Sequence, residues 1–351
     1  MIGQTLNLRV ASLQDIAPGL RHLRLVAVDG APLPPTGAGA HVQLSLPGAT
    51  RVHRNAYSLV NAPGSRSAYD LIVRRVPTSR GGSAAVHERL QVGDVVEALW
   101  PGNLFAPVRK ARRHLMVAGG IGITPMLSML NWCLTEQPGR EVWLFYGVRN
   151  QDELVMQQPL GDLAKQHPNL HLHVCISHAA SIALEPQPSD SFHVHACRVG
   201  VELLRQWLPL KPYHFYICGP TPMMETLVPA LDDWGVPDDR IHFEAFGPAS
   251  IKRPQKLGGS QASTGESNIL VTFAKSGKTQ TWSPSMGSLL EFAEAHVIAM
   301  NSGCRAGGCG SCQTQVNKGE VTYQQAPDFD AEPGSCLPCV CTPKTSLTLA
   351  A

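Results

Sequence analysis

From the start of the chain, apolar and polar positions alternate with the two-residue period of a strand. LNLRVASL, LRHLRLVAV, HVQLSL, AYSLV, YDLIVRRV and DVVEALW each read as a short strand between turns containing Gly or Pro. One helix-like piece, GGSAAVHERL, interrupts them. Many short strands with regular turn signals predict an antiparallel β-barrel over residues 1–108.

From His114 the pattern changes. HLMVAGG, EVWLFYGV, LHLHVCIS and HFYICGP are apolar runs suited to buried strands, while TPMLSMLNWCLTE, VGVELLRQWL and TPMMETLVPALDDWG carry helical periodicity. Strand–helix alternation predicts a doubly wound α/β domain over 109–248, with a parallel sheet and helices on both faces. KRPQKLGGSQASTGES is polar, rich in Gly and Ser and aperiodic, and marks a flexible linker over 249–267. Residues 268–351 then read as a small α+β domain: a hairpin (NILVTFAKSGKTQTWSP, turning at SGK), a short helix (SLLEFAEAHV), a cysteine-rich loop and a closing strand (SLTLAA).

Composition narrows the picture. A chain of 351 residues with 43% hydrophobic and 16% charged residues suits two or three packed domains. A net charge of +2 gives no general attraction to nucleic acid or membrane surfaces. No apolar run reaches the length of a transmembrane helix, and the N-terminus lacks the basic segment and apolar core of an export signal. These features predict a cytoplasmic protein with no nucleic-acid or membrane partner. The 14 histidines show no metal-ligand spacing, and HLHVCIS alternates as the face of a strand.

The ten cysteines are unevenly spread. Cys133, Cys175, Cys197 and Cys218 lie singly among apolar neighbours, whereas six fall between Cys304 and Cys341. Without an export signal, such clustering points to metal or cluster ligation rather than disulfides. CRAGGCGSC sets Cys304, Cys309 and Cys312 in the C-x4-C-x2-C spacing of plant-type ferredoxins, with a later cysteine as fourth ligand to a [2Fe–2S] cluster. The small residues between them let the backbone wrap the sulfides and donate N–H groups to sulfur. GSCLPCVCTP offers Cys336, Cys339 and Cys341 for the fourth place. The competing reading is four-cysteine zinc through Cys309, Cys312, Cys336 and Cys339, which leaves Cys304 unused and the upstream domains without an electron acceptor.

HLMVAGGIGITPMLSML is a buried strand, a turn with Gly119, Gly120 and Gly122, and a helix opening at Thr124-Pro125. Such a turn lets a pyrophosphate approach the backbone at a helix N-terminus. It is not the full G-x-G-x-x-G fingerprint, because Pro125 replaces the third Gly. A second turn, Cys218-Gly219-Pro220, also ends a strand and opens a helix, and two such turns in one parallel sheet define a ligand crevice.

AYSL and RRVPTSRGGS carry little chemistry when read alone. In order along the chain, AYSL, SRGGS, PGNLF, AGGIGITPML, CGP, HFEAFG, CRAGGCGSC and LPCV together resemble the phthalate dioxygenase reductase and vanillate demethylase reductase group, within the ferredoxin–NADP reductase-like superfamily. The resemblance spans essentially the whole chain. It implies a flavin-binding barrel, a nicotinamide-binding domain and a β-grasp ferredoxin domain. Tyr57 would pack on the isoalloxazine, Ser58 would lie near its reactive nitrogen, and Arg74, Gly81, Gly82 and Ser83 would surround the flavin phosphate. Gly120, Thr124 and Cys218 would line the nicotinamide site, with Phe246 beside the flavin. The resemblance also implies FMN, with FAD the alternative, and makes Cys339 the fourth cluster ligand. One departure stands out: the group's pattern is Arg-x-Tyr-Ser, and here Asn55 holds the Arg position while Arg54 is one place earlier. Either Arg54 reaches over, or Arg51 or Arg80 substitutes, or the flavin is held differently.

Nicotinamide delivers two electrons together and a [2Fe–2S] cluster takes one, so a flavin between them can mediate. The implied route runs from NADH, with NADPH the alternative, through flavin and cluster to a terminal oxygenase of Rieske type. SHAASIALEP after the third strand offers no cation for a 2′-phosphate, whereas Arg149 after the second strand does. Two other classes fit parts of the sequence: an iron–sulfur carrier or sensor without NADH turnover, and a zinc-stabilised interaction module.

Overall fold

Strands β1 (Thr5–Ala17), β2 (Leu20–Ala27), β3 (His41–Leu46), β4 (His53–Ser58), β5 (Tyr69–Arg74) and β6 (Val95–Leu99) form one antiparallel sheet in the order β4-β3-β6-β1-β2-β5. Its two ends meet through the bridge Leu59–Leu71 and a 3.0 Å hydrogen bond from the Val60 N–H to the Asp70 carbonyl, which closes the barrel. Inward residues such as Leu8, Val10, Leu25, Leu44 and Leu71 fill it, and helix α1 (Gly82–Glu88) covers one end through Ala85 and Val86. This computed structural model describes residues 5–48, 52–77, 81–103, 105–178, 191–245, 269–302, 307, 310–323, 327, 329 and 331–351. Two units divide the chain, Met1–Arg253 and Pro254–Ala351.

The first unit continues as β7 (Arg113–Gly119), α2 (Ile123–Glu136), β8 (Glu141–Val148), α3 (Gln157–Gln166), β9 (Leu170–Ile176), β10 (Phe192–His195), α4 (Val201–Trp207), β11 (His214–Gly219), α5 (Thr221–Asp233) and β12 (Ile241–Ala245). The strands form a parallel sheet in the order β10-β9-β8-β7-β11-β12. Each face carries an apolar core, as a sheet covered on both sides requires. Leu144, Leu172 and Met116 belong to the core that also holds α2, while Val117, Phe145 and Ile217 belong to the core that also holds α4 and α5. The α2 core runs on into the barrel through Leu20, Ile72 and Phe105. Helix α3 and strands β10 and β12 go beyond the elements read from sequence. QQPLGDLAKQ is polar with one apolar stripe, and the two strands lie at the sheet edges, where polar side chains interrupt the apolar run.

The second unit begins with the expected hairpin, β13 (Ile269–Phe273) and β14 (Lys278–Trp282), then α6 (Leu289–Ala295). There follow β15 (Thr314–Lys318), β16 (Val321–Tyr323), β17 (Ser335–Cys336), β18 (Cys341–Pro343) and β19 (Leu347–Leu349). A five-stranded sheet, β14-β13-β19-β15-β17, is antiparallel except for β13 against β19, and β16 pairs with β18 separately. Helix α6 starts with a capping box: the Ser288 hydroxyl accepts from the Glu291 N–H, and the Glu291 carboxylate accepts from the Ser288 N–H. Its Leu289, Phe292 and Ala293 pack with Val271 and Phe273. No helix among the described residues is long and apolar enough to cross a membrane.

Just past α6, Val297 is 86% exposed with φ of 56°. A β-branched residue in the left-handed region is strained, and its exposed side chain regains little by packing. Val297→Gly should therefore stabilise the protein by about 1 kcal/mol, measured as a rise in Tm of the second unit's transition. An unchanged or lowered Tm would mean the valine side chain supports the fold.

Candidate functional site

The barrel's site is built on β4. It pairs with β3 without a bulge (Tyr57 opposite Val42, Asn55 opposite Leu44), so strict alternation holds. His53, Asn55 and Tyr57 share one face, and Arg54 belongs to the other. The His53 ring stands against Gly81 and the Asn55 amide against Gly82, so closely that a Cβ on either glycine would collide with them. Asn55 therefore occupies the place beside the Gly81-Gly82-Ser83 turn, and Arg54 is out of phase with it. Ser83 accepts a 3.2 Å hydrogen bond from the Val76 N–H. Arg51 and Arg80 lie outside the described residues.

Ser58 is 4% exposed, and neither its hydroxyl nor the buried Tyr57 hydroxyl has a hydrogen-bond partner among the described residues. A buried hydroxyl left unpaired costs about 1–3 kcal/mol. As neighbours on β4 they face opposite sides of the strand, Tyr57 with Asn55 and Ser58 with Arg54, and each leaves a hydrogen-bonding hydroxyl to be satisfied. Arg74 is the last residue of β5. Its Nη1 lies 3.4 Å from where a Cβ on Gly120 would be, so the guanidinium covers the first glycine turn of the parallel sheet.

That turn follows β7: Gly119 ends the strand, Gly120–Gly122 make one 3-10 turn, and α2 begins at Ile123. The Thr124 hydroxyl donates to the Ile121 carbonyl at 3.0 Å, and Thr124 and Pro125 are buried in the first turn of α2. The second turn, Cys218-Gly219-Pro220, follows the neighbouring strand β11, with Cys218 in register with Ala118. A Cβ on Gly122 would strike the Cys218 carbonyl, and one on Gly119 would meet Pro220 Cδ at 2.6 Å. The glycines thus permit two strand-end turns to touch, at the carboxyl edge where parallel sheets bind nucleotides. At the end of β8, Arg149 is clamped by Glu153, with Nη2–Oε1 at 2.6 Å and Nε–Oε1 at 3.0 Å.

One residue of this site goes beyond the sequence reading. Glu244 on β12 pairs in register with Cys218. Its carboxylate is buried, one oxygen lacks a partner among the described residues, and burial raises its pKa from 4.5 to about 7. Cys218 is fully buried, and burial, with the Glu244 charge adding, pushes its thiol well above the ordinary range. The Glu within HFEAFG was the available signal, since a carboxylate in a strand next to a buried one needs a reason. Phe246 lies outside the described residues.

In the second unit, Cys304 and Cys309 lie outside the described residues, and Cys312 and Cys339 are described. The Cys312 thiol meets that of Cys339 at 3.1 Å. Cys336 and Cys341 are instead part of the apolar core with Phe273 and Phe292, hydrogen-bonded to each other, which raises the Cys341 thiol. At Gly310, with φ of 68°, a Cβ would strike the Phe329 ring, so that position has room only for backbone. Two converging thiols beside such a position fit a cluster ligated by thiolates and approached by amides.

The raised pKa of Glu244 has a defined sign. The native state holds its proton where the unfolded state has lost it, so this group's contribution to stability falls as pH rises through the window from 4.5 to about 7. Glu244→Gln should gain on the wild type by at most about 3 kcal/mol between about pH 5 and about pH 8, read by urea unfolding. Parallel pH profiles for the two proteins would show that Glu244 is not buried in this way.

Two family models match the chain: an oxidoreductase NAD-binding domain over residues 116–228 and a 2Fe-2S iron-sulfur cluster binding domain over residues 273–344. The carnitine monooxygenase reductase subunit of Escherichia coli (strain K12) is 30% identical over 337 residues, covering 95% of this chain and 92% of that protein. The heme-dependent oxidative N-demethylase beta subunit of Ectopseudomonas mendocina (strain ymp) is 32% identical over 338 residues, covering 95% of each. The solved structure of phthalate dioxygenase reductase, described as modular for electron transfer from pyridine nucleotides to [2Fe–2S], matches with a TM-score of 0.63 at 28% identity, covering 99% of this chain and 98% of that one. With its barrel, its parallel-sheet crevice and its cysteine loop in this order, the chain belongs to the phthalate dioxygenase reductase group of ferredoxin–NADP reductase-like proteins.

Proposed function

We propose that the chain is the reductase component of a multicomponent oxygenase, taking hydride from NADH and passing single electrons to a terminal oxygenase of Rieske type. The observation that carries this reading is the presence on one chain of a two-turn nucleotide crevice and a converging thiol pair. FMN is the flavin we assign. Bound flavin supplies exchange between paired and single electrons, and a [2Fe–2S] cluster supplies one-electron transfer outward. Tyr57 and Ser58 would hold the ring, with His53, Asn55 and the Gly81-Gly82-Ser83 turn at its phosphate end. Cys304, Cys309, Cys312 and Cys339 would hold the cluster.

The chain's own groups around the nicotinamide have clear physical tasks. Gly119, Gly120, Gly122, Gly219 and Pro220 keep the crevice floor free of side chains, and Thr124 and Pro125 fix the start of α2. Arg74 brings a positive charge to the turn where a pyrophosphate would lie. Cys218 stays a neutral thiol and presents no competing charge to a nicotinamide ring. Glu244 holds or releases a proton near neutral pH beside it.

NADH over NADPH is supported by the Arg149–Glu153 clamp, which occupies the guanidinium and adds a negative charge where a 2′-phosphate would need a cation. Glu153→Gln should raise the NADPH-to-NADH ratio of kcat/KM by about tenfold, the value of one charged hydrogen bond. An unchanged ratio would remove Arg149 from cofactor selection.

Stopped-flow reduction of cysteine variants tests the electron route. Cys339→Ser should lose iron and transfer to a one-electron acceptor protein while NADH still bleaches the flavin. Cys341→Ser should keep both. Transfer at the wild-type rate in the iron-depleted Cys339→Ser protein would contradict the proposed route.

A further inference from the structure

One face of the parallel sheet gathers rings. β8 contributes Trp143 and Phe145, β9 His171 and His173, the edge strand β10 His193 and His195, and α4 ends over them at Trp207. His193 lies opposite His173 in the parallel pairing, so alternation sets all four imidazoles away from the α2 core, which takes Leu172, Val174 and Val194. His171 stacks on Trp143 at 4.0 Å and His173 on Phe145 at 4.4 Å. Trp207 closes on His173, His193 and His195, with ring centres 4.8, 4.4 and 5.4 Å away. Packing alone favours apolar side chains at such positions, as Leu115, Val117 and Phe145 show on the same face.

The centre of this face is His173. It is 0% exposed, its Nδ1 is 2.9 Å from His195 Nε2, and its other nitrogen, Nε2, has no hydrogen-bond partner among the described residues. The short contact has room for one hydrogen, so the two rings cannot both carry one on the nitrogens that face each other. The groups around His173 offer a proton no anion to pair with. His171, His193 and His195 act on the ring, and burial keeps Cys175 a neutral thiol. On β8, Glu141 acts on His171 at the far end of β9, together with Lys211, and is itself engaged by Arg113 and Lys211. On α4, Glu202 and Arg205 pair with each other. Burial, with the neighbouring imidazoles adding, drives the His173 pKa from 6.5 to about 2, and burial lowers His171 and His195 in the same direction.

We propose that this imidazole face is a proton-operated latch on the edge of the nucleotide-binding sheet. At neutral pH the uncharged rings pack and hold β10 and the end of α4 on β9. In acid, a proton reaches His173 only as β10 leaves β9, so protonation and opening are one event. Native imidazoles stay neutral where exposed ones titrate near about 6.5, so the latch holds above that pH and weakens as pH falls below it. Beyond β10 the chain reaches Val199, whose Cγ2 lies 3.1 Å from where a Cβ on Gly147 would be, two residues before Arg149 at the crevice rim. After β9, the Ser177 and His178 N–H groups donate to the Val148 and Arg149 carbonyls. Opening loosens the side of the crevice that these contacts brace, a consequence that rests on the nicotinamide reading of the crevice.

Hydrogen exchange of the full-length protein, with flavin and cluster in place and nucleotide absent, tests the latch. After correction for the intrinsic effect of pH, the open-to-closed ratio of amides in β10 and α4 should rise between about pH 6.5 and about pH 5.5. The rise should be about tenfold per pH unit for each imidazole kept neutral, while β7 stays flat. His173→Phe should remove at least one such tenfold step. His195→Gln keeps an N–H for His173 Nδ1 and should reduce the response, which keeps the test available if His173→Phe fails to fold. Over the same interval the NADH KM should rise more in the wild type than in His173→Phe. An equal exchange response in the wild type and a folded variant would overturn the latch, and equal KM ratios would overturn its link to the crevice. Protein that oxidises no NADH in either form would instead refute the nicotinamide reading and leave the exchange result standing.

Discussion

The structure of the first unit depends on one continuous apolar core shared by the barrel and the parallel sheet. Leu20, Ile72 and Phe105 from the barrel side pack with Met116, Met126 and Leu130 of β7 and α2. Phe105 meets Tyr216 edge-on at 6.1 Å, and the Tyr216 hydroxyl accepts from the Val108 N–H at 2.8 Å, which anchors the chain where it passes between the two architectures. This packing fixes the end of β5 against the first glycine turn, and so brings Arg74 to Gly120. A flavin-holding strand and a nucleotide-holding turn must keep a fixed distance for hydride transfer, since small misplacements of reacting groups are costly. A shared core supplies that rigidity more reliably than surface contacts, because close-packed interiors resist deformation.

Charge is used sparingly around the crevice. Glu244 and Cys218 are both held toward their neutral forms by burial, while Arg74 and the Arg149–Glu153 pair sit at the rim. The flavin end departs from the group's usual chemistry. Asn55 and His53 stand beside the Gly81-Gly82 turn, where the resemblance places an arginine, and Arg51 and Arg80 lie outside the described residues. An amide offers hydrogen bonds without charge, and an imidazole offers charge only when protonated.

The long-period signals were legible in the sequence. Alternating strands, buried strand–helix units and the C-x4-C-x2-C spacing reflect local rules; the barrel and sheet follow them, and the segment with that spacing matches a 2Fe-2S cluster binding domain. What escaped depends on pairing between distant strands. Glu244 gains its meaning only from Cys218 across a strand pair. Arg54 illustrates the same limit: adjacency in sequence suggested a substitute for Asn55, while strand alternation turns it to the other face. The three candidates for the fourth cysteine differ in the same way, by packing rather than spacing: Cys336 and Cys341 lie in the apolar core, and Cys339 meets Cys312.

The most direct test of the account is an anaerobic visible absorption spectrum of the purified protein titrated with NADH. The account predicts flavin bands together with broad longer-wavelength cluster absorption, both bleached by NADH. Protein prepared without oxygen that shows no cluster absorption, or a cluster that stays oxidised while the flavin bleaches, would contradict it.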